Sequence, residues 1–312
     1  MTNSNFFPKT LQEAIKHFSD PDVSLEAAKS LRWSDGVVVC PHCTSKSVGF
    51  VATRRIWKCK NKECRKQFSV KIGTIMEDSP LGLDKWLIAI WMIANCKNGI
   101  SSYELHRALG ITQKTAWFLL HRIRYAMQQG TFELTGEVEV DETFVGGKAQ
   151  NMHESKRRER IKGRGGKGKT IVLGMLERGG KVKAKVIANT NKETLHREVK
   201  EAVSPVTPGS VKDHVTHIYT DGHPGYDGLD ADYIHQIIDH TFEYVNGNIS
   251  TNGIENFWTL LKRTLKGTYV AVEPEHLFRY VDEQAFRFNN RKVKDGDRFV
   301  KVAGSISGKR LT

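Results

Sequence analysis

Asp141 lies within a segment whose other residues have the pattern of a short, buried β-strand. Val138 and Val140 precede it, Phe144 follows it, and two glycines at 146–147 mark a turn. A carboxylate in such a strand costs free energy to bury unless it is paired with a cation or bound to a metal. The alternative is a solvated carboxylate on an edge strand, because most aspartates in folded proteins are exposed. Taken alone, the segment is compatible with both interpretations.

Two later segments place further acidic residues where they can join Asp141. Asp221 ends a short β-type run that begins at His217, and a glycine follows it. Glu255 lies in a predicted helix, because five apolar residues of that segment recur at helical spacing. Those residues are Ile254, Phe257, Trp258, Leu261 and Leu265. Three carboxylates from two strands and one helix can converge on one point and hold hard divalent cations, which prefer oxygen ligands.

Four phrases of the sequence together resemble the ISXO-type branch of bacterial insertion-sequence transposases. They begin at residues 140, 219, 251 and 286 and read Val-Asp-Glu-Thr-Phe-Val-Gly-Gly, Tyr-Thr-Asp-Gly, Thr-Asn-Gly-Ile-Glu-Asn-Phe-Trp-Thr-Leu-Leu-Lys-Arg and Phe-Arg-Phe-Asn-Asn-Arg. The match is collinear up to Arg291, and that branch is similar to DDE enzymes with an RNase H-like core. The resemblance implies that Asp141, Asp221 and Glu255 form the acidic triad. It also implies Lys262 as an associated basic residue.

The third ligand has one alternative. Some members of that branch have Asn in this role, and Asn252 stands one turn before Glu255. We expect Glu255 to be the ligand, because a full negative charge holds a divalent metal better than an amide oxygen does. We expect two Mg2+ (or Mn2+) ions at this site. The resemblance further implies a homodimer assembled on paired transposon ends.

The charge of the chain favours a polyanionic partner such as DNA. Its 312 residues include 48 Lys and Arg against 35 Asp and Glu, a formal net charge of +13. An unspecialised basic surface is the weaker alternative, because the charge is clustered. Residues 148–169 contain nine Lys and Arg and only two acids, in a glycine-rich stretch that includes Arg164 and Lys167. We expect a flexible basic loop that follows a DNA backbone, the alternative being a solvated run of charge.

Four cysteines have the spacing of a zinc ribbon. Cys40 and Cys43 form C-x2-C, and after fifteen residues Cys59 and Cys64 form C-x4-C, with strand-like runs beside them. Disulfides are the alternative, which a cytosolic setting disfavours. Because all four positions of a tetrahedral zinc would be filled by protein, we expect the zinc to be structural. Cys96 lies in an apolar helix and is expected to be a buried thiol.

The region after the ribbon has the pattern of a helix-turn-helix. A helix from 103 to 109 ends at Gly110, and Thr112 caps a second helix that runs to about residue 128. The amino end of a recognition helix usually contacts DNA bases. The expected DNA-binding residues of the second helix are Lys114, Arg122 and Arg124. An ordinary pair of antiparallel helices is the alternative, because this pattern recurs by chance.

These observations predict an α+β protein with five segments. They are an N-terminal helical arm (1–35), a zinc ribbon (36–75), a helix-turn-helix region (76–130), an RNase H-like α/β/α catalytic core (131–292) and a polar tail (293–312). No apolar amino-terminal signal is visible, and the most apolar run is too short to span a bilayer. We therefore expect a cytosolic bacterial protein without a membrane partner.

The function expected from this sequence is DNA transposition. The zinc ribbon and helix-turn-helix would bind terminal inverted repeats, and the acidic residues would cleave these ends and join them to target DNA. One alternative is a metal-dependent nuclease on the same fold that performs no strand transfer. Another is a zinc-ribbon DNA-binding regulator whose core no longer catalyses. Retention of all three acids, Asp141, Asp221 and Glu255, argues against the regulator.

Overall fold

The computed structural model describes residues 7–309 apart from 148–153, 156–167, 206–215 and 239–250. In chain order the elements are α1 (Leu11–Phe18), α2 (Pro21–Arg32), β1 (Val48–Val51), β2 (Ile56–Cys59), β3 (Gln67–Phe68), α3 (Leu83–Asn95), α4 (Ser102–Leu109), α5 (Gln113–Met127), β4 (Glu137–Val145), β5 (Thr170–Glu177), β6 (Val182–Ile187), α6 (Lys192–Ala202), β7 (His217–Asp221), β8 (Ile234–Ile238), α7 (Asn252–Thr264), α8 (Leu277–Asn289) and α9 (Asp295–Gly304). Within these described ranges, no helix has both the length and the apolar character needed to cross a membrane.

The chain divides into two compact units. The first contains residues 1–128 together with 290–312, and the second contains residues 129–289. In the first unit, strands β1, β2 and β3 form an antiparallel sheet whose aromatic side chains, Trp57 and Phe68, share a core with Leu25 of α2. This sheet is the scaffold of the four cysteines.

Helices α4 and α5 are bounded by strong local signals. Ser101 accepts a hydrogen bond from the backbone N–H of Glu104, whose side chain returns one to Ser101, so that a capping box begins α4. Gly110 ends α4 in the left-handed conformation, with φ of 59°. The Thr112 hydroxyl then caps α5 by accepting from the N–H of Thr115. The element order expected of a helix-turn-helix is therefore present in the structure.

The C-terminal residues form a packed helix and not the polar tail expected from sequence. Phe299 and Ile306 are buried in the first unit, where α9 packs against α3. The backbone N–H of Ile75 donates to the carbonyl of Ile306 over 3.1 Å. Lys309 then donates to three carbonyls at the end of α5, those of Tyr125 over 3.1 Å, Ala126 over 3.4 Å and the C-cap residue Gln128 over 3.1 Å. Partners outside the segment thus give this short helix the stability that its own length does not supply.

The second unit is built on a five-stranded sheet in the order β6-β5-β4-β7-β8. Strands β4, β5 and β6 pair antiparallel, whereas β7 and β8 continue from β4 in parallel. One face packs on α6 and the other on α7 and α8, which gives three layers. The predicted RNase H-like α/β/α fold is thereby confirmed, with strands and helices in the expected chain order.

Strand β4 lies in the middle of this sheet, and its alternation decides where the acidic side chains point. Val138 and Val140 enter the core on the α6 side. Glu139 and Asp141 contact α7 on the opposite side. The α7 face of β4 therefore carries carboxylates where the α6 face carries valines.

Candidate active site and metal centre

The four cysteines of the first unit form one cluster. Their sulfur atoms all lie within 4.8 Å of one another. The Sγ atoms of Cys40 and Cys64 are 3.8 Å apart and those of Cys43 and Cys59 are 3.5 Å apart. A tetrahedron with Zn–S bonds of about 2.3 Å has edges of about 3.8 Å, whereas a disulfide needs about 2.05 Å. The cluster fits the predicted structural zinc.

Each cysteine pair closes with the same backbone device. Thr44, directly after Cys43, has φ of 58°, and Arg65, directly after Cys64, has φ of 47°. These residues lie in the left-handed region that non-glycine residues rarely adopt. Each turn is closed by a backbone hydrogen bond, from Thr44 to Cys40 over 2.9 Å and from Arg65 to Asn61 over 3.0 Å. Two matching knuckles thus hold the sulfur atoms, which explains why the spacing predicted the site.

Asp141 and Asp221 stand at equivalent positions of neighbouring parallel strands. The last registered pair of β4 and β7 is Glu139 with Tyr219, and each aspartate comes two residues later. Burial raises the pKa of Asp141 to about 6, a hydrogen bond from Trp258 opposes that rise, and the charges of Glu142 and Asp221 add to it. The structure therefore brings these two predicted residues together at one end of the strand pair.

The indole of Trp258 fixes the Asp141 carboxylate. Its Nε1 donates to Oδ2 of Asp141 over 2.8 Å. The ring fits because Gly174, the partner of Asp141 on β5, has no side chain. A Cβ on Gly174 would lie 2.5 Å from the Trp258 ring, a separation that atoms in contact do not tolerate. Asp141 is thus oriented by α7, the helix that also carries Glu255.

Glu255 and Asn252 both lie exposed in the first turn of α7. The Thr251 hydroxyl donates to Oε1 of Glu255 over 3.4 Å. Within the part of the chain that the structure describes, the four cysteines are the one group of three or more ligating side chains gathered within 4.8 Å. The ligating atoms of the three acids are therefore not all within 4.8 Å of one another. Lys262 is exposed on α7, two turns after Glu255.

Glu139 is a residue of this region that the sequence analysis did not identify. It is 3% exposed, and its Oε2 accepts from the backbone N–H of Ile254 over 2.8 Å. Its Oε1 accepts from Nε of Arg178 over 3.0 Å. A signal existed, because acidic residues alternate with valines at 137, 139 and 141 and so lie on one face of the strand.

Glu142 is a second residue of this region that the sequence did not identify. It lies beside Asp141 but accepts a hydrogen bond at Oε2 from the Tyr226 hydroxyl over 2.5 Å. Burial raises the pKa of Glu142, the Tyr226 hydrogen bond opposes the rise, and the charge of Asp221 adds to it. Asp221 itself accepts from the backbone N–H of His223 over 3.1 Å. Glu142 thus contributes the negative charge of a third carboxylate beside the two aspartates.

The predicted DNA-binding residues differ in their exposure to solvent. Lys114 is exposed near the amino end of α5. Arg122 instead donates to the carbonyls of Ile75 and Glu77, over 3.2 Å and 2.7 Å. Arg124 is 1% exposed, so its guanidinium is buried and the expectation that it contacts DNA is corrected. The other two predicted contacts, at positions 164 and 167, lie outside the described residues.

Comparison with known proteins connects both units to transposases. Residues 20–67 match a transposase zinc-ribbon domain, and residues 133–289 match an ISXO2-like transposase domain. A protein of transposable element ISH50 from Halobacterium salinarum is 27% identical over 263 residues, which cover 80% of this chain and 85% of that protein. A transposase-like protein of Haemophilus influenzae is 33% identical over 129 residues, 40% of this chain and 97% of that protein.

Among solved structures, one aligned chain comes from a simian T-cell lymphotropic virus intasome in complex with the PP2A regulatory subunit B56 gamma. It is 13% identical with a TM-score of 0.27, over 62% of this chain and 64% of that chain. The second unit matches the family domain along nearly its whole length, and that match covers half of the chain. The chain belongs to the family of ISXO2-like transposases.

Proposed function

We propose that this transposase cleaves the ends of an insertion sequence and joins them to target DNA with divalent metal ions at Asp141, Asp221 and Glu255. The observation that carries the proposal is the placement of Asp141 and Asp221 at equivalent ends of β4 and β7. Burial already raises the pKa of Asp141, so its charge is poorly compensated by the protein alone. A bound divalent cation would compensate this charge through oxygen ligands.

Oxygen donors in this arrangement suit Mg2+ or Mn2+, and two ions per site are proposed. Such ions supply Lewis-acid chemistry, by activating water or a 3'-hydroxyl and stabilising the leaving oxygen. The chain's own residues have separate roles. Trp258 orients the Asp141 carboxylate, and Glu255 supplies a third acid from the first turn of α7. Lys262, exposed two turns later, would pair with a DNA phosphate.

The first unit would bind the terminal inverted repeats. Residues 40–71 contain nine Lys and Arg and one acid, and Lys58 and its cross-strand partner Gln67 are both exposed on the ribbon sheet. Lys114 is exposed at the amino end of α5, where a recognition helix contacts bases. Arg164 and Lys167 remain proposed backbone contacts. A homodimer on paired ends completes the proposal.

The test is an assay with the element's own ends, a supercoiled target plasmid and Mg2+. We expect cleaved ends and joined products from the parent protein, and neither from Asp141→Asn, which keeps the acceptor oxygen for Trp258. Both proteins should bind the ends equally in a gel-shift assay. Cleavage without joined products would reduce the function to that of a nuclease. Equal products from parent and variant would remove the proposed active site.

A further inference from the structure

We propose that Glu139 is a positioning residue of the active site, which anchors the first turn of α7 to β4 and so sets where Glu255 stands relative to Asp141. This inference rests on the proposed function for its catalytic meaning. Its structural basis begins with burial, because a carboxylate that is 3% exposed must have strong partners. Glu139 has two, Arg178 and the backbone N–H of Ile254.

The hydrogen bond to Ile254 replaces a missing helix cap. The first N–H groups of a helix have no partner within the helix and are usually satisfied by the N-cap side chain. Thr251, the N-cap residue of α7, makes no such side-chain bond. Oε2 of Glu139 reaches the N–H of Ile254 from the neighbouring strand, and its negative charge suits the positive end of the helix dipole. Glu139 therefore caps α7 from outside the helix.

A glycine makes this approach possible. A Cβ on Gly253 would lie 2.8 Å from Oε2 of Glu139 and 2.6 Å from Cδ2 of Leu176. Any larger residue would push the carboxylate away from the helix. Gly174 of β5 plays the same part for Trp258, which lies one turn of α7 after Ile254, because it leaves room for the indole ring. Both close contacts between the sheet and α7 thus depend on the absence of a side chain.

The two contacts are matched in spacing. Glu139 and Asp141 are two residues apart on β4, a separation of about 6.6 Å along a strand. Their partners, Ile254 and Trp258, are four residues apart on α7, about 6 Å along a helix. Consecutive carboxylates on one strand face therefore meet consecutive turns of one helix. This spacing fixes both the position and the axial register of α7 against β4.

The position of Glu255 depends on this register. It follows Ile254 directly, and its own side chain is exposed, with a 3.4 Å contact to the Thr251 hydroxyl. Glu139 is unsuited to hold a metal itself, because Arg178 occupies one oxygen and the helix occupies the other. Its contribution is therefore to fix the turn that presents Glu255.

The test compares Glu139→Ala with Glu137→Gln, a matched control. Glu137 lies on the same strand and contacts the same arginine over 3.2 Å, and the bonds seen for its side chain go to Arg178 and Tyr219, not to α7. Hydrogen exchange is measured by mass spectrometry on peptides spanning 251–258. Glu139→Ala should speed exchange there by roughly tenfold, and Glu137→Gln should leave it unchanged. Unchanged exchange in Glu139→Ala would overturn the anchoring role.

Mn2+ titration gives the second readout, with zinc content and circular dichroism as checks of folding. Glu139→Ala should raise the half-saturating Mn2+ concentration by about tenfold or more. Glu139→Gln should have a smaller effect, because its amide oxygen can still accept from Ile254. Gly253→Ala, which keeps Glu139 but displaces it, should reproduce the loss. Equal Mn2+ affinity in all three variants and the parent would overturn the positioning role.

These readouts separate the inference from the proposed function. If the parent transfers strands and Glu139→Ala keeps the parental metal dependence, the inference fails and the function stands. If the parent transfers no strands and Asp141→Asn leaves Mn2+ binding unchanged, the proposed function fails. In that case the exchange experiment still decides whether Glu139 anchors α7.

Discussion

The indole Nε1 of Trp258 donates a hydrogen bond to Oδ2 of Asp141 over 2.8 Å, and this bond joins the central strand of the sheet to the helix that carries Glu255. The hydrogen bond also stabilises the charged form of Asp141, which burial destabilises. Trp258 therefore has two roles, since its ring fills the α7 side of the core while its N–H orients a carboxylate of the proposed site.

Replacement of Trp258 by Phe separates these roles. The phenyl ring can still lie over Gly174, but the donor to Asp141 is lost. We expect the pKa of Asp141 to rise further and end cleavage at neutral pH to fall by roughly tenfold. Trp86→Phe is the control, because the buried indole of Trp86 donates to a hydroxyl of Ser79 in the other unit. An equal loss of cleavage in both variants would show that the loss does not come from the hydrogen bond to Asp141.

The raised pKa of Asp141 predicts a pH dependence of stability for protein without added divalent metal. In the folded state this pKa is about 6, against a usual value of 3.8. The protonated form is therefore favoured on folding, so its stabilisation is fully present below about pH 4 and is lost as pH rises through 6. The difference of about two units corresponds to at most about 3 kcal/mol.

Asp141→Asn removes this titration and keeps the acceptor for Trp258. We expect the variant to be more stable than the parent at pH 8 and nearly equal to it at pH 4, as measured by urea unfolding of the second unit. Asp230→Asn, at an exposed position, is the control. The gain should shrink when Mg2+ is added, because only the parent then gains a bound cation. A pH-independent difference between variant and parent would contradict the assignment.

Zinc removal should unfold the ribbon selectively. Cys43→Ser removes one of four sulfur ligands, and binding of structural zinc is coupled to folding. We expect loss of the bound zinc and of the ribbon's structure, with the sheet of the second unit retained. Zinc content by mass spectrometry and circular dichroism measure the two effects. Cys96→Ser should keep its zinc, because Cys96 lies outside the cluster; equal zinc in both variants would contradict the site.

Lys114 and Arg122 should now behave differently, although the sequence placed both in one DNA-binding helix. Lys114→Ala should weaken binding to the terminal repeats by about 1–3 kcal/mol and relax sequence preference. Arg122→Ala should instead lower the free energy of unfolding by about 1–3 kcal/mol, because it leaves two carbonyls without their donor. A salt series of binding and a urea titration measure both effects. Unchanged affinity in Lys114→Ala would contradict the assignment of α5 as the recognition helix.

Local patterns predicted most of this molecule. The cysteine spacing gave the zinc ribbon because each knuckle is a short-range structure. The alternation of β4 and the apolar stripe of α7 gave the strand and helix that carry Asp141 and Glu255. Arg124 was predicted to contact DNA, although helical spacing puts it beside Leu120, which is buried.

Other features depend on distant partners that no local pattern contains. The last helix is stable because Phe299 and Ile306 contact Phe18 and Ile75, which lie more than two hundred residues earlier in the chain. The role of Glu139 depends on an N–H of Ile254, 115 positions away. Its sequence signal, an acid at every second position, does not reveal which acid faces a metal and which faces a helix end.

The proposed triad gives the most direct prediction about catalysis. Asp141→Asn, Asp221→Asn and Glu255→Gln each keep the size of the side chain and remove one negative charge. We expect each to abolish end cleavage and strand transfer with end binding retained, because the metal ions lose a charged ligand. A double variant should lose little more than a single one, since the three residues act as one site.

Asn252 is the internal control for the third position, because it lies exposed in the same first turn of α7 as Glu255. Removing its amide by Asn252→Ala should leave cleavage within a few fold of the parent. Loss of cleavage in Asn252→Ala with full activity in Glu255→Gln would assign the third ligand to the amide. Activity retained in all four variants would show that the carboxylates at the ends of β4 and β7 do not perform the chemistry. Gel-shift affinity is measured beside each reaction. It distinguishes a loss of catalysis from a loss of DNA binding when a product is missing.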